Sequence, residues 1–313
     1  MPSPRVAIVD IGSNSIKVLV AERRSDGQTI AVLSKTLDAR ISAGISQKHP
    51  RLTAESMARG IDAIQQLLLS AAPYTPERIL LVATSAVRDA ENGAEFRERA
   101  LAATGHEIRI LSGMEEADLI GRGLMCDPAL TGLTNFYVFD LGGGSLECLA
   151  FRARQIQTAK SLQLGCVRLT EKWVPDSSQA IDASTLHAIQ NHTRAELTAA
   201  SFPFNLPPGT PAVGTGGTIT TVRAILAARE GKQLEETDTR VPVDVFRSEM
   251  EQLSRLPLTE RKRVAGLPPG RADVFPAALA TLVAIAEAGR FEAYQHSLYN
   301  LRFGLAAEAL NES

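Results

Sequence analysis

Three short glycine-rich segments, Gly12-Ser13-Asn14-Ser15, Gly142-Gly143-Gly144-Ser145 and Gly214-Thr215-Gly216-Gly217-Thr218, carry the residue types that a chain of phosphates needs. Glycine lets main-chain N–H groups approach oxygen anions with no Cβ in the way, and successive N–H groups in a turn form an anion-binding concavity. One such turn between strands is usually a plain hairpin. Three in one chain, two of them alike in layout, point to a ligand. The first two turns each follow an apolar run that ends in aspartate, Asp10 and Asp140. An aspartate can cap its own turn, but beside a phosphate it repels the ligand unless a hard cation such as magnesium lies between them. Glu147, two residues after Ser145, either points back across the turn toward an ion held near Asp140 or is a plain residue on an exposed strand.

A second group of side chains suits activation of water. Ser112 followed three residues later by Glu115 matches a capping box, which gives Glu115 a structural task at the start of a helix. Glu116 is then left free. A carboxylate at that position can orient an attacking water, or simply complement the positive end of the helix. Arg88 has the planar fork to grip two phosphate oxygens, or is an ordinary surface arginine. The histidines carry little signal: His187 and His192 are five apart and share no helix face, and no HExxH or Cys/His cluster is present. No GxxxxGK[ST] or GxSxG occurs, so neither a Walker-type nucleoside triphosphatase nor an α/β-hydrolase is supported.

The elements that must position these residues form an echo. VAIVDIGSNSIKVLV (6–20) and FYVFDLGGGSLECLA (136–150) share an apolar strand ending in Asp, a glycine turn, then Ser and a second apolar strand. A shift of 130 puts Asp10 on Asp140, Gly12 on Gly142, Ser15 on Ser145 and Ile16 on Leu146. After the first hairpin, Thr53 caps a helix with Met57, Ile61, Ile64 and Leu68 on its apolar face. A buried strand at 79–83, a helix near 93–104, a strand at 108–111 and a helix over 113–124 follow, an α/β alternation. The segment Met125 to Thr134, with Pro128 and Gly132, reads as the hinge between domains. Beyond it come strands within 147–163, a helix near 184–200, the third glycine turn with a helix to about 229, helices near 244–256 and 272–289, a strand at 293–298 and a helix at 301–311.

With 313 residues the expectation is two domains of roughly 150 residues. The 33 Lys and Arg nearly balance 35 Asp and Glu, giving a net charge of -2, so bulk charge recruits no nucleic-acid polymer and any polyanion must meet a local site. The chain shows no signal peptide at its start, and its longest apolar run, 276–288, is too short to span a bilayer and suits a buried helix. Cys126, Cys148 and Cys166 are too widely spaced for a zinc or redox motif and read as reduced thiols in a cytoplasmic protein.

At this point the sequence resembles the exopolyphosphatase and guanosine pentaphosphate phosphohydrolase family, Ppx/GppA, of the actin, sugar kinase and Hsp70 superfamily. The resemblance rests on VDIGSNSIK (9–17), ATSAVRDAEN (83–92), LSGMEEADL (111–119), FDLGGGSLE (139–147), LGCVRLTE (164–171), GTGGTITT (214–221), LPPGRADVFPA (267–277) and LRFGL (301–305), and runs almost end to end. It implies an α/β fold of two actin-like (ribonuclease H-like) lobes, 1–125 joined by a closing helix at 300–313, and 126–299, with the ligand in the cleft between them. It further implies that Asp140 and Glu147 bind Mg²⁺ (or Mn²⁺), and that one of Glu115 and Glu116 is the base. The turns Ser13–Ser15 and Gly142–Ser145 would hold phosphates together with Arg88, and the residues themselves add Asp10, Gly12 and the third turn, Gly214 to Thr218. The length matches short members that lack helical C-terminal domains. Leu146 stands where the family usually has Thr, and Phe303 where it usually has Glu.

The function expected is Mg-dependent attack of water on a terminal phosphorus of inorganic polyphosphate or pppGpp, releasing orthophosphate, with no membrane or nucleic-acid partner and with a homodimer left open. Two other readings stand beside it. One is a non-hydrolysing polyphosphate or alarmone sensor; the other is a small-molecule kinase of the same superfamily.

Overall fold

The structure is a computed structural model that describes residues 4–311; residues 1–3 of the expected first lobe and 312–313 of the expected closing helix lie outside it. The chain divides into two compact units. One runs up to Thr131 and takes in the segment from Tyr299 onward; the other is Gly132–Leu298.

The first unit is built on a five-stranded sheet, in the order β3-β2-β1-β4-β5. Its strands are β1 (Arg5–Ile11), β2 (Ser15–Arg23), β3 (Thr29–Asp38), β4 (Arg78–Ala83) and β5 (Ile108–Ile110). β1 is central and almost wholly buried, as a continuous apolar run flanked on both sides should be. β3 forms one edge and keeps Lys35 and other polar residues in solvent. The helices are α1 (Ala54–Ala71), α2 (Ser85–Arg88), α3 (Gly93–Thr104) and α4 (Gly113–Met125). Thr53 caps α1 as expected, its hydroxyl accepting from the Ser56 amide at 3.1 Å, a contact worth about 1 kcal/mol. The face that α1 buries is Met57, Gly60, Ile64 and Leu67.

The second unit has a six-stranded sheet, in the order β10-β11-β9-β6-β7-β8. Here β6 is Phe136–Leu141, β7 Leu146–Arg152, β8 Gln155–Leu162, β9 Ala212–Thr215, β10 Arg240–Pro242 and β11 Ala293–His296. Its helices are α5 (Cys166–Trp173), α6 (Ala183–Ala199), α7 (Gly217–Glu230), α8 (Val243–Ser254), α9 (Leu258–Arg261) and α10 (Phe275–Gly289). The apolar run at 276–288 lies in α10, which buries nearly every side chain. That helix starts later than expected because Pro276, lacking an N–H, belongs in a first turn. α5 is a helix that residue spacing did not suggest.

The echo in sequence extends to the sheets. In each unit an antiparallel hairpin continues into an antiparallel third strand on one side and two parallel strands on the other. β10, antiparallel to β11, is an addition to the second unit. Helix α11 (Leu301–Asn311) closes the first unit against α4, β1 and β2. A Cβ at Gly123 would run into the Asn300 carbonyl oxygen, and one at Gly304 into that of Leu119, so α4 and α11 touch backbone to backbone.

Candidate active site

In the first unit, the hairpin β1–β2 closes with the Gly12 amide donating to the Ser15 carbonyl at 3.2 Å, and Asp10 faces Lys17 across it. Ser13, Asn14 and Ser15 are all buried. The carbonyls of the turn are drawn toward residues 40–42. Ser42 donates its hydroxyl to the Ser13 carbonyl at 3.0 Å, and the Arg40 amide donates to the Asn14 carbonyl at 2.9 Å. Arg40 also donates Nε and Nη2 to Asn14 Oδ1, each at 3.2 Å, and adopts a left-handed φ of 40° to do so. These contacts leave Asn14 Nδ2 buried with no partner. An orphan donor costs about 1–3 kcal/mol unless a ligand supplies an acceptor, and a phosphate oxygen is such an acceptor. Arg40 was not singled out by the sequence; its position just after a hairpin strand gives no signal of this role.

The two glutamates separate as the capping argument requires. Ser112 Oγ accepts from the Glu115 amide at 3.2 Å, while Glu115 Oε2 accepts from the Ser112 amide at 2.8 Å, and Arg109 adds an ion pair at 2.8 Å. The Arg109 guanidinium and the Ser112 donors hold the Glu115 carboxyl down to about 2. Glu116 faces the other way and is only 7% exposed. It is not free, in contrast to the expectation. Arg88 Nη1 donates to Glu116 Oε2 at 3.0 Å and to the Leu111 carbonyl at 2.9 Å, with Nε donating to Asp89 Oδ1 at 3.3 Å. The reason is physical: a carboxylate this far from water needs a counter-charge. Arg88 lies at the end of α2, and Ser85 at the start of that helix shares a 3.0 Å hydrogen bond with Ser13. The structure thus joins the first glycine turn, Arg88 and Glu116 through one short helix, and sets Glu115 apart in solvent.

In the second unit, the Gly142 amide closes the β6–β7 turn on the Ser145 carbonyl at 3.0 Å. The register places Asp140 directly opposite Glu147. Glu147 is 2% exposed and accepts from Ser161 on β8 at 2.7 Å, so it is no solvent-facing strand residue. On the other side Asp140 pairs in register with Thr215, and its Oδ1 lies where a Cβ on Gly216 would sit. Gly216 has φ +86°, so only glycine serves there on both counts. The third glycine turn therefore packs against the Asp140 carboxylate.

α5 explains how the second turn is held. Cys166 and Val167 donate their amides to the Gly142 and Gly143 carbonyls at 3.0 and 2.9 Å, and Arg168 Nε donates to the Gly144 carbonyl at 3.0 Å. A Cβ at Gly165 would collide with the backbone of Gly143 and Gly144. With its carbonyls bonded to α5, the turn has its amide side left for a ligand. At the start of α7 lies Arg271, 9% exposed, against Gly217, with Nη2 donating to Thr218 Oγ1 at 3.4 Å and Nε buried without a partner. A guanidinium at the positive end of a helix calls for an anion. In the sequence Arg271 stands inside LPPGRADVFPA (267–277) with no local sign of a ligand, and only its contacts with Gly217 and Thr218 single it out.

Asp140 and Glu147 offer hard oxygen donors side by side. Two carboxylates, completed by phosphate oxygens and water, suit Mg²⁺, which prefers a few protein ligands to a full protein cage. Among the described residues, no group of three or more His, Cys, Asp or Glu gathers to hold a metal. Of the two departures from the family pattern, Leu146 is fully buried between Leu141 and Leu162, and Phe303 is buried against Tyr299 with ring centroids 4.1 Å apart.

Two α/β units with duplicated sheets, each ending a central hairpin in a glycine turn, define an actin-like fold. A crystal structure described as an exopolyphosphatase from Cytophaga hutchinsonii superposes with a TM-score of 0.88 at 22% identity, covering 98% of each chain. That of the Aquifex aeolicus Ppx/GppA family member gives 0.78 at 24% identity, covering 100% of this chain and 99% of that one. The chain belongs to the Ppx/GppA phosphatase family, whose model matches residues 19–313. It is 30% identical over 312 residues to the guanosine-5'-triphosphate,3'-diphosphate pyrophosphatase of Vibrio vulnificus, covering 99% of this chain and 60% of the relative. It thus spans about 60% of the length of the curated relatives it matches. No helix among the described residues is long and apolar enough to cross a membrane.

Proposed function

We propose that the protein is a cytoplasmic phosphohydrolase that releases terminal orthophosphate from a linear phosphoanhydride, either inorganic polyphosphate or pppGpp. The observation that carries this reading is the buried Glu116–Arg88 pair, joined through α2 to the first glycine turn. Family membership and the names of its relatives support the class of substrate. Cys126, Cys148 and Cys166 form no disulfide among the described residues, which suits a reducing compartment.

In the first unit Asn14 Nδ2 and the turn Ser13–Ser15, and in the second the turns Gly143–Ser145 and Gly214–Thr218 with Arg271 beside them, each offer donors to phosphate oxygens, the Gly12 and Gly142 amides being spent on closing their own hairpins. Glu116 orients a water for in-line attack and takes its proton as the new P–O bond forms and the bridging P–O bond breaks. Arg88 fixes the Glu116 carboxylate and brings positive charge to the same place. Asp140 and Glu147 would hold Mg²⁺, or Mn²⁺, which would offset charge on the phosphate oxygens.

Incubation of purified protein and Mg²⁺ with tripolyphosphate, long polyphosphate or pppGpp, each followed by orthophosphate release, tests class and substrate together. Release linear in time from at least one is expected. Tight binding without release would make the protein a sensor, and phosphoryl transfer to an added acceptor without orthophosphate release would make it a kinase.

A further inference from the structure

The second unit contains a buried charged group that the mechanism above does not use. Arg223, on α7, is 3% exposed, and its guanidinium is spent on named partners. Nη2 donates to the carbonyls of Leu234 and Thr237 at 2.7 and 2.8 Å, and Nε to Thr237 Oγ1 at 3.1 Å. Nη1 meets His296 Nδ1 at 2.7 Å. Arginine can only donate, so Nδ1 accepts and the ring carries its proton on Nε2. Nε2 lies 3.1 Å from Thr220 Oγ1, and Thr220 in turn donates its hydroxyl to the Gly216 carbonyl at 2.9 Å. Burial and the adjacent Arg223 push His296 down to about 3, so it stays neutral in this arrangement.

The direction of every bond in this chain is therefore fixed: Arg223 to His296, His296 to Thr220, Thr220 to the Gly216 carbonyl. A trans peptide plane points its C=O and N–H in opposite directions. Drawing the Gly216 carbonyl down toward α7 aims the Gly217 amide outward from the helix start. The direct backbone bond from the Thr220 amide to that carbonyl is long, 3.4 Å, so the hydroxyl is the stronger hold. Glycine on both sides of this peptide makes a flip sterically easy, and some other group must prevent it.

We infer that Arg223, His296 and Thr220 are positioning residues that lock the Gly216–Gly217 peptide with its amide turned toward the phosphates, and that the 234–237 segment anchors this relay from the surface. The inference deepens the proposed function, on which its ligand depends, while the peptide orientation itself can be read without any ligand.

The variants are Thr220→Val, which removes the hydroxyl at constant shape, Thr220→Ser, which restores it, and His296→Gln, whose amide can replace the ring donor. For each, the affinity for tripolyphosphate with Mg²⁺ is measured by calorimetry, and the Gly217 amide resonance is followed by NMR in ligand-free protein. Thr220→Val should weaken binding about 10- to 100-fold, the worth of one donor to a charged group, and should shift or split the Gly217 resonance. Thr220→Ser should return both to wild type, and His296→Gln should lie between. A Gly217 resonance unchanged in Thr220→Val overturns the inference whether or not the wild type binds tripolyphosphate. A wild type that binds none of it, together with a split Gly217 signal, upholds the lock and removes the proposed ligand. Thermal destabilisation in Thr220→Val with unaltered affinity and resonance would reduce the relay to a clamp for the fold.

Discussion

In the first hairpin Asp10 faces Lys17; in the second, at the same register and 130 residues on, Asp140 faces Glu147. Both turns close with the same glycine-to-serine hydrogen bond, and both have their carbonyls engaged from behind, by residues 40–42 in one and by α5 in the other. The backbones match and the charges differ. Asp10 has a residue of opposite charge directly across the hairpin. Two carboxylates face to face cannot sit beside a phosphate without a cation from outside. On the proposed function, a metal requirement would belong to the second hairpin, while the first unit's distinctive feature is the Glu116–Arg88 pair.

This division can be broken by experiment. The largest effect is expected for Glu116→Gln, with turnover lower by roughly 10²- to 10⁴-fold at an unchanged magnesium requirement. Steady-state hydrolysis over a range of Mg²⁺ concentrations measures both, and a loss that excess metal repairs would place Glu116 with the metal ligands instead. Next come Asp140→Asn and Glu147→Gln, each expected to raise the magnesium requirement about 10- to 100-fold and to recover with excess metal. Lys17→Gln is the control: if it shifts the magnesium requirement as far as Glu147→Gln does, the two hairpins are equivalent and the comparison fails.

A third outcome concerns acid. His296 is held neutral down to about 3, below an ordinary histidine near 6.5. The unfolded chain therefore binds one more proton between those values, so stability falls as pH drops from about 6.5 toward 3. The slope from this residue is roughly 1.4 kcal/mol per pH unit. Urea unfolding from pH 7 to 4 should show a component of that size that His296→Gln lacks. The smallest effect is that of Glu115→Gln, under about 1 kcal/mol of stability with hydrolysis retained, because glutamine still reaches the Ser112 amide and the Arg109 pair is exposed to solvent. The depressed Glu115 carboxyl adds stability that is present above about 4.5 and lost as pH falls toward 2. Abolished hydrolysis in Glu115→Gln would exchange the roles of the two glutamates.

Much of this was legible in the residues. The capping box at Ser112 and the Thr53 cap depend on side chains within four positions of each other, so spacing alone reveals them. The hairpin echo was readable because an apolar strand, an Asp and a glycine turn survive as a linear pattern. What escaped was held by distant contacts. The pairing of Glu116 with Arg88 joins residues 28 apart, Arg40 acts on a turn 26 residues upstream, and His296 reaches Arg223 across 73 residues. α5 escaped for another reason. Its eight residues are too few for a helical period to stand out, and Gly165, which looks like a helix breaker, is its N-cap.

The close seating of α11 on α4 bears on how the chain is made. Segments up to Thr131 leave the ribosome first, yet the helix that covers β1 and β2 is translated only after the whole of Gly132–Leu298. The later unit is continuous and can fold as it emerges, while the earlier one must wait with apolar surface uncovered. Gly123 and Gly304 leave no room for a Cβ between α4 and α11, so the surface left waiting is shaped for this one helix. A protein arranged in this way spends its most vulnerable interval in synthesis with its first half exposed, and chaperones that shield nascent chains would be expected to bind there.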